Sequence, residues 1–113
     1  MEYMLDKEHC TRKWLKKKGF YQSSEGENFF EYHFLVYTCG ETIKIVCNVK
    51  VDISTGRVDL SVVDKVSRSL FAPWYQTDDR HWKTHELDII NKRMSQKLNW
   101  YNIHPVASQK RAA

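Results

Sequence analysis

An α+β fold follows from three stretches of this chain. Ile43, Ile45, Cys47, Val49, Val51 and Ile53 alternate with Lys44, Val46, Asn48, Lys50 and Asp52, the period-two pattern of a strand with one buried face. Phe30, Tyr32, Phe34 and Val36 alternate in the same way with Glu31, His33 and Leu35. Towards the C-terminus, Leu87, Ile90, Met94, Leu98 and Tyr101 recur at steps of three or four, as residues on one helix face do. Together they predict a two-layer sandwich: an antiparallel meander of three or four strands with an N-terminal and a C-terminal helix on one face, in the order α-β-β-β-(β)-α.

Each element has its own local reason. The first helix is expected from about Tyr3 to Lys18. Cys10 and Trp14 share a stripe with Tyr3, Asp6 and Glu8 sit early, and Lys16, Lys17 and Lys18 crowd the last turn, the charge order a helix dipole favours. Gly19 reads as the residue past the helix end and Phe20 as the apolar residue that follows it; Trp14 is assigned to the core. Gln22 to Asn28 is a polar loop. A strand from Phe29 to Thr38, a turn at Cys39-Gly40-Glu41 and a second strand from Thr42 to Ile53 make a hairpin. Ser54-Thr55-Gly56 fits a three-residue hairpin turn with glycine in the left-handed position, leading to a third strand through Val58, Leu60 and Val62. Lys65 to Leu70 extends that strand or opens a fourth, while Pro73 argues against a central strand through Phe71 to Tyr75. Thr77 is a good N-cap for the last helix, with Asp78 and Asp79 in its first turn and Pro105 as its limit. The pattern gives one domain over residues 1–107 and a flexible basic tail over residues 108–113.

Composition bounds the class. With 113 residues, 42% hydrophobic, 28% charged and only four glycines and two prolines, the chain is of globular type, and one core suffices. No apolar run approaches the roughly 20 residues of a membrane span, so a cytoplasmic protein without a membrane role is expected. The three cysteines, Cys10, Cys39 and Cys47, form no CxxC pair and are odd in number, which fits reduced thiols. Cys47 reads as a core residue and Cys39 as exposed in its turn. Net charge is +4 but unevenly spread: +3 over residues 1–20, −4 over residues 21–90 and +5 over residues 91–113.

Chemical motifs are sparse. His81 and His85 stand one helical turn apart, with Asp78 or Asp88 as possible carboxylate ligands, but two ligands do not make a tetrahedral set, and no metal site is assigned. Cys39 beside His33 across a hairpin is the one nucleophile–base arrangement to consider, and no nucleophile elbow, phosphate loop or dinucleotide fingerprint accompanies it. The expectation is therefore no catalytic residues, no enzyme activity and no cofactor. The helix–sheet–helix order resembles that of the double-stranded RNA-binding domain. That family carries a basic motif at the start of its second helix, where this chain has Asp78 and Asp79, so no RNA contacts are carried over.

What remains is recognition. Trp74, Tyr75 and Trp82 around Pro73 have the character of binding anchors, and Lys16, Lys17, Lys18, Lys92, Arg93 and Lys97 would form a basic patch if their helices lie side by side. The sequence thus predicts a small non-enzymatic module, monomeric or homodimeric. It would act as an adaptor or inhibitor of the kind mobile elements encode, engaging a larger protein or nucleoprotein partner through the aromatic loop and the basic helices. The alternatives are a nucleic-acid-binding domain using the same basic helices with stacking aromatics, and a small enzyme or metal-dependent protein whose site has no sequence signature.

Overall fold

The structure is a computed structural model that describes residues 2–71 and 84–106. The chain is α+β, an antiparallel sheet with two helices, of which the single long one comes late. In chain order the elements are β1 (Tyr3–Leu5), a 3₁₀ turn (Lys7–His9), α1 (Arg12–Lys17), β2 (Tyr21–Gln22), β3 (Phe29–Cys39), β4 (Ile43–Asp52), β5 (Arg57–Asp64), β6 (Ser69–Leu70), α2 (Thr84–Trp100) and β7 (Ile103–Pro105). Strands pair in the order β2-β3-β4-β5-β1-β7, with β6 on β5.

The expected order α-β-β-β-(β)-α is corrected at both ends. Tyr3–Leu5 is a strand, pairing Tyr3 with Val58 of β5 and with Pro105 of β7, and Leu5 with Ile103. The helix cannot run back to Tyr3 because Thr11 is extended (φ −132°, ψ 150°) and caps α1 by accepting a hydrogen bond from Trp14 N at 3.1 Å. β7 likewise follows α2, which ends at Trp100 before Asn102 turns left-handed (φ 58°). The element order therefore departs from that of the double-stranded RNA-binding domain. Trp14, expected in the core, is half-buried.

Two compact units are distinguished by their contacts. The first comprises residues 2–32, 49–60 and 98–106 and buries Leu5, Leu15, Phe20, Phe30, Val49, Val51, Val58, Leu98, Tyr101 and Ile103. Within it α1 closes with two hydrogen bonds, Phe20 N to Leu15 O at 2.9 Å and Gly19 N to Lys16 O at 3.1 Å, around Gly19 at φ 96°. That pairing is the Schellman motif, and it delivers Phe20 into the core, where its ring meets Tyr32 and, edge-on, Tyr101. The turn from β4 to β5 has its glycine in the expected left-handed position, Gly56 at φ 79° with its N–H on Asp52 O at 2.7 Å, but it spans four residues, 53–56, instead of the expected three.

The second unit comprises residues 33–48, 61–71 and 84–97 and buries Phe34, Val36, Ile45, Val46, Cys47, Val62, Phe71, Ile90 and Met94. Asp64, at the end of β5, is buried with its Oδ1 accepting from Lys44 N (3.3 Å) and Val66 N (3.0 Å), so its charge is met by backbone donors. Hydrogen bonds from Thr42 N to Cys39 O and from Lys65 N to Lys44 O fix the register of β3, β4 and β5 in this unit. Followed along the strands, it sets Leu35 beside Val46 and Val46 beside Val63, which in turn opposes Leu70 of β6. One sheet face of this unit thus carries a transverse apolar row whose end residues are exposed, Leu35 54% and Leu70 60%, while Val46 within it is only 6% exposed.

Candidate functional site

The aromatic anchors Trp74, Tyr75 and Trp82 lie outside the described residues, as do Asp78, Asp79 and His81 and the tail over residues 108–113. The six basic candidates are all described. Lys16, Lys17 and Lys18 belong to the first unit; Lys92, Arg93 and Lys97 belong to the second.

In the first unit the short α1 is a cationic strip. Residues 12–18 hold Arg12, Lys13, Lys16, Lys17 and Lys18 with no acid among them, and Leu15 alone turns fully inward. Arg12 is committed locally: it donates to Glu27 O at 2.6 Å and its guanidinium lies 5.8 Å from the Phe30 ring centroid. Lys13, Lys16 and Lys17 are exposed. Lys18, at the helix end, is held between two indoles, its Nζ 5.7 Å from the Trp14 centroid and 5.2 Å from that of Trp100. Trp14 stacks on His9, with centroids 4.6 Å apart and planes at 23°. Trp100 is 66% exposed, although the next residue, Tyr101, is buried against Phe20 and Tyr32. Burial and the Tyr32 hydroxyl hold the Tyr101 phenol well above its ordinary value, so this base under the ledge stays uncharged. The result is an exposed ledge of rings and ammonium groups anchored by packed aromatics, able to stack a planar group on Trp100 and to neutralise anionic charge beside it.

In the second unit the basic residues do other work. Arg93 donates to Val36 O at 3.1 Å and lies 5.9 Å from the Tyr37 ring, whose hydroxyl donates to Glu86 Oε2 at 3.0 Å. Lys97 Nζ lies 5.7 Å from the Phe34 centroid. These contacts fasten α2 to β3, while Lys92 is exposed.

The nucleophile pairing is corrected. His33 and Cys39 lie on one strand, β3, six residues apart, which is about 20 Å at strand rise and far beyond hydrogen-bond reach. Cys39 is exposed as expected, and Cys47 is buried, with burial pushing its thiol up to about 12. His85 is exposed on α2 and belongs to no cluster of three or more metal-ligating side chains among the described residues.

Pairing Trp100 with Trp14 and Lys18 is beyond sequence reasoning, because 86 residues separate the two indoles and their segments meet through tertiary contacts, among them the hydrogen bond of Asp6 N to Asn102 O, the β1–β7 pairing and the packing of Tyr101 on Phe20. No helix among the described residues is long and apolar enough to cross a membrane. No protein-family model matches the chain, and no curated protein or solved structure resembles it significantly.

Proposed function

We propose that this chain is a small cytoplasmic binding module, not an enzyme, whose α1 ledge engages the nucleic-acid part of a nucleoprotein partner. One observation carries this reading: Trp100 is two-thirds exposed, with the Lys18 ammonium 5.2 Å from its ring and the acid-free run of α1 beside it. A bare indole offers a stacking face to any unpaired base, and the lysines offer charge to its phosphates. Three free thiols support the cytoplasmic setting. The test is fluorescence anisotropy with a labelled single-stranded oligonucleotide at about 50 mM salt. Trp100→Ala should weaken binding about tenfold or more, the scale of one lost base–aromatic stack, while its circular dichroism stays that of the parent because the ring is exposed. Absence of binding, or equal binding by Trp100→Ala, overturns the reading.

A second reading, docking on a protein, is favoured by the apolar row Leu35, Val46, Val63 and Leu70 in the second unit. Leu35→Asp should then abolish capture of the partner without lowering the melting temperature, and unchanged capture removes it.

A further inference from the structure

We propose that Asp6, Glu8, His9 and His104 form a binding site for one divalent transition-metal ion of the zinc type. Three of the four come from one tight turn. Asp6 precedes the 3₁₀ turn and its carbonyl accepts the His9 N–H at 2.8 Å, which folds the run Asp6-Lys7-Glu8-His9 back on itself and gathers three donor atoms within 4.8 Å of one another. The fourth arrives from the other end of the chain. β7 pairs with β1 so that His104 opposes Met4, and Asp6, two residues on, shares the His104 side of the ribbon. Its Nε2 lies 3.4 Å from Asp6 Oδ2, and His9 Nε2 lies 3.6 Å from Glu8 Oε1.

Each spacing suits two ligand atoms on one ion; His104 stands at Asp6 but outside the group of three, and reaches the common ion by turning its side chain. With bonds of about 2.0–2.1 Å, donors at two corners of a tetrahedron stand about 3.4 Å apart. Two imidazoles with two carboxylates suit zinc or a neighbouring ion such as cobalt, whereas magnesium and calcium take oxygen donors. Among the described residues the carboxylates of Asp6 and Glu8 form ion pairs with these imidazoles and with no lysine or arginine. Asp6 makes no side-chain cap to the turn, which frees its carboxylate for this role. The Trp14 ring stacked on His9 fixes the imidazole plane, as supports behind metal ligands commonly do. Cys10 is not part of the set: its Sγ is turned to the carbonyls of Leu5 and Asp6, at 3.8 and 3.5 Å. The inference does not depend on the nucleic-acid reading, since its test uses metal alone.

Zinc is titrated by calorimetry into the full chain after chelator treatment, and cobalt is followed by its visible absorption. The expected result is one equivalent bound, with the intense bands of tetrahedral cobalt. Asp6→Asn and His104→Ala should each lower affinity about tenfold or more and weaken those bands, while His85→Ala binds like the parent. Asn matches Asp in shape, so circular dichroism should show Asp6→Asn folded. No uptake at millimolar zinc overturns the proposal. So does uptake that Asp6→Asn and His104→Ala leave unchanged, since the ion then sits elsewhere.

Discussion

Salt dependence offers the most quantitative test of the α1 ledge. Four ammonium groups are available there, Lys13, Lys16 and Lys17 exposed and Lys18 half-buried between the indoles, while Arg12 is bound to Glu27 O. Each phosphate neutralised on a single strand contributes about 0.7 to the slope of log affinity against log salt, so four contacts give a slope of about −2.8. Raising salt from about 50 to 200 mM should then weaken binding about fiftyfold. Replacing Lys16 and Lys17 together by Gln keeps α1 helical, because Gln is a good helix former, and leaves two contacts. The same salt step should then cost the double variant about sevenfold. Anisotropy titrations at both salt concentrations, on parent and variant, read the two slopes directly. A double variant as salt-sensitive as the parent, or a parent with no salt dependence, refutes the reasoning, since the charge would then lie elsewhere or be irrelevant.

Three further outcomes follow from the packing. Gly56→Ala should lower unfolding free energy by about 1–2 kcal/mol in urea titrations, since φ 79° strains any L side chain and the new Cβ would stand 3.3 Å from Cys10 Sγ and 3.4 Å from Leu5 O; an unchanged midpoint would contradict it. Thr11→Ala, which removes the acceptor for Trp14 N, should cost about 1 kcal/mol by the same measurement, and a loss near zero would mean the cap is not stabilising. Burial holds the Cys47 thiol up to about 12 against an ordinary 9.0, so the folded state keeps a proton that the unfolded chain releases. The stability this confers is complete below pH 9 and declines as pH rises towards 12, and Cys47→Ala should show a flatter decline in thermal melts; identical slopes would refute the assignment.

How much of this was legible in the sequence depends on how local each feature is. The alternation of β4, the inward face of β3, the Gly56 turn, the Gly19 cap and the buried stripe Ile90, Met94, Leu98 and Tyr101 are all written within a few residues of where they act. β1 was hidden because its three residues are strand only by virtue of Val58 and Ile103, some 50 and 100 positions away, while Tyr3, Cys10 and Trp14 imitate a helical stripe. The site divides in the same way. Lys16 to Lys18 announced a basic helix end, but only tertiary pairing shows that Lys18 is seated between Trp14 and Trp100, or that Arg93 and Lys97 serve packing. His81 and His85 stand out by regular spacing, whereas Asp6, Glu8 and His9 are irregularly spaced, and His104 is brought to Asp6 through the β1–β7 ladder.

That ladder also governs how the protein answers to force. Tyr3 faces Pro105, Leu5 faces Ile103, and Val106 N donates to Glu2 O at 2.8 Å, so the strands bearing residues 2 and 106 lie side by side and open at the same end. Tension applied at those two points loads the hydrogen bonds singly and in succession, in the manner of a zip, instead of shearing them all at once. A translocating motor that grips the edge strand β7 would therefore meet little resistance at the outset, and the first thing it peeled away would carry His104 from Asp6, whereas β1 is held on its other side by β5 as well.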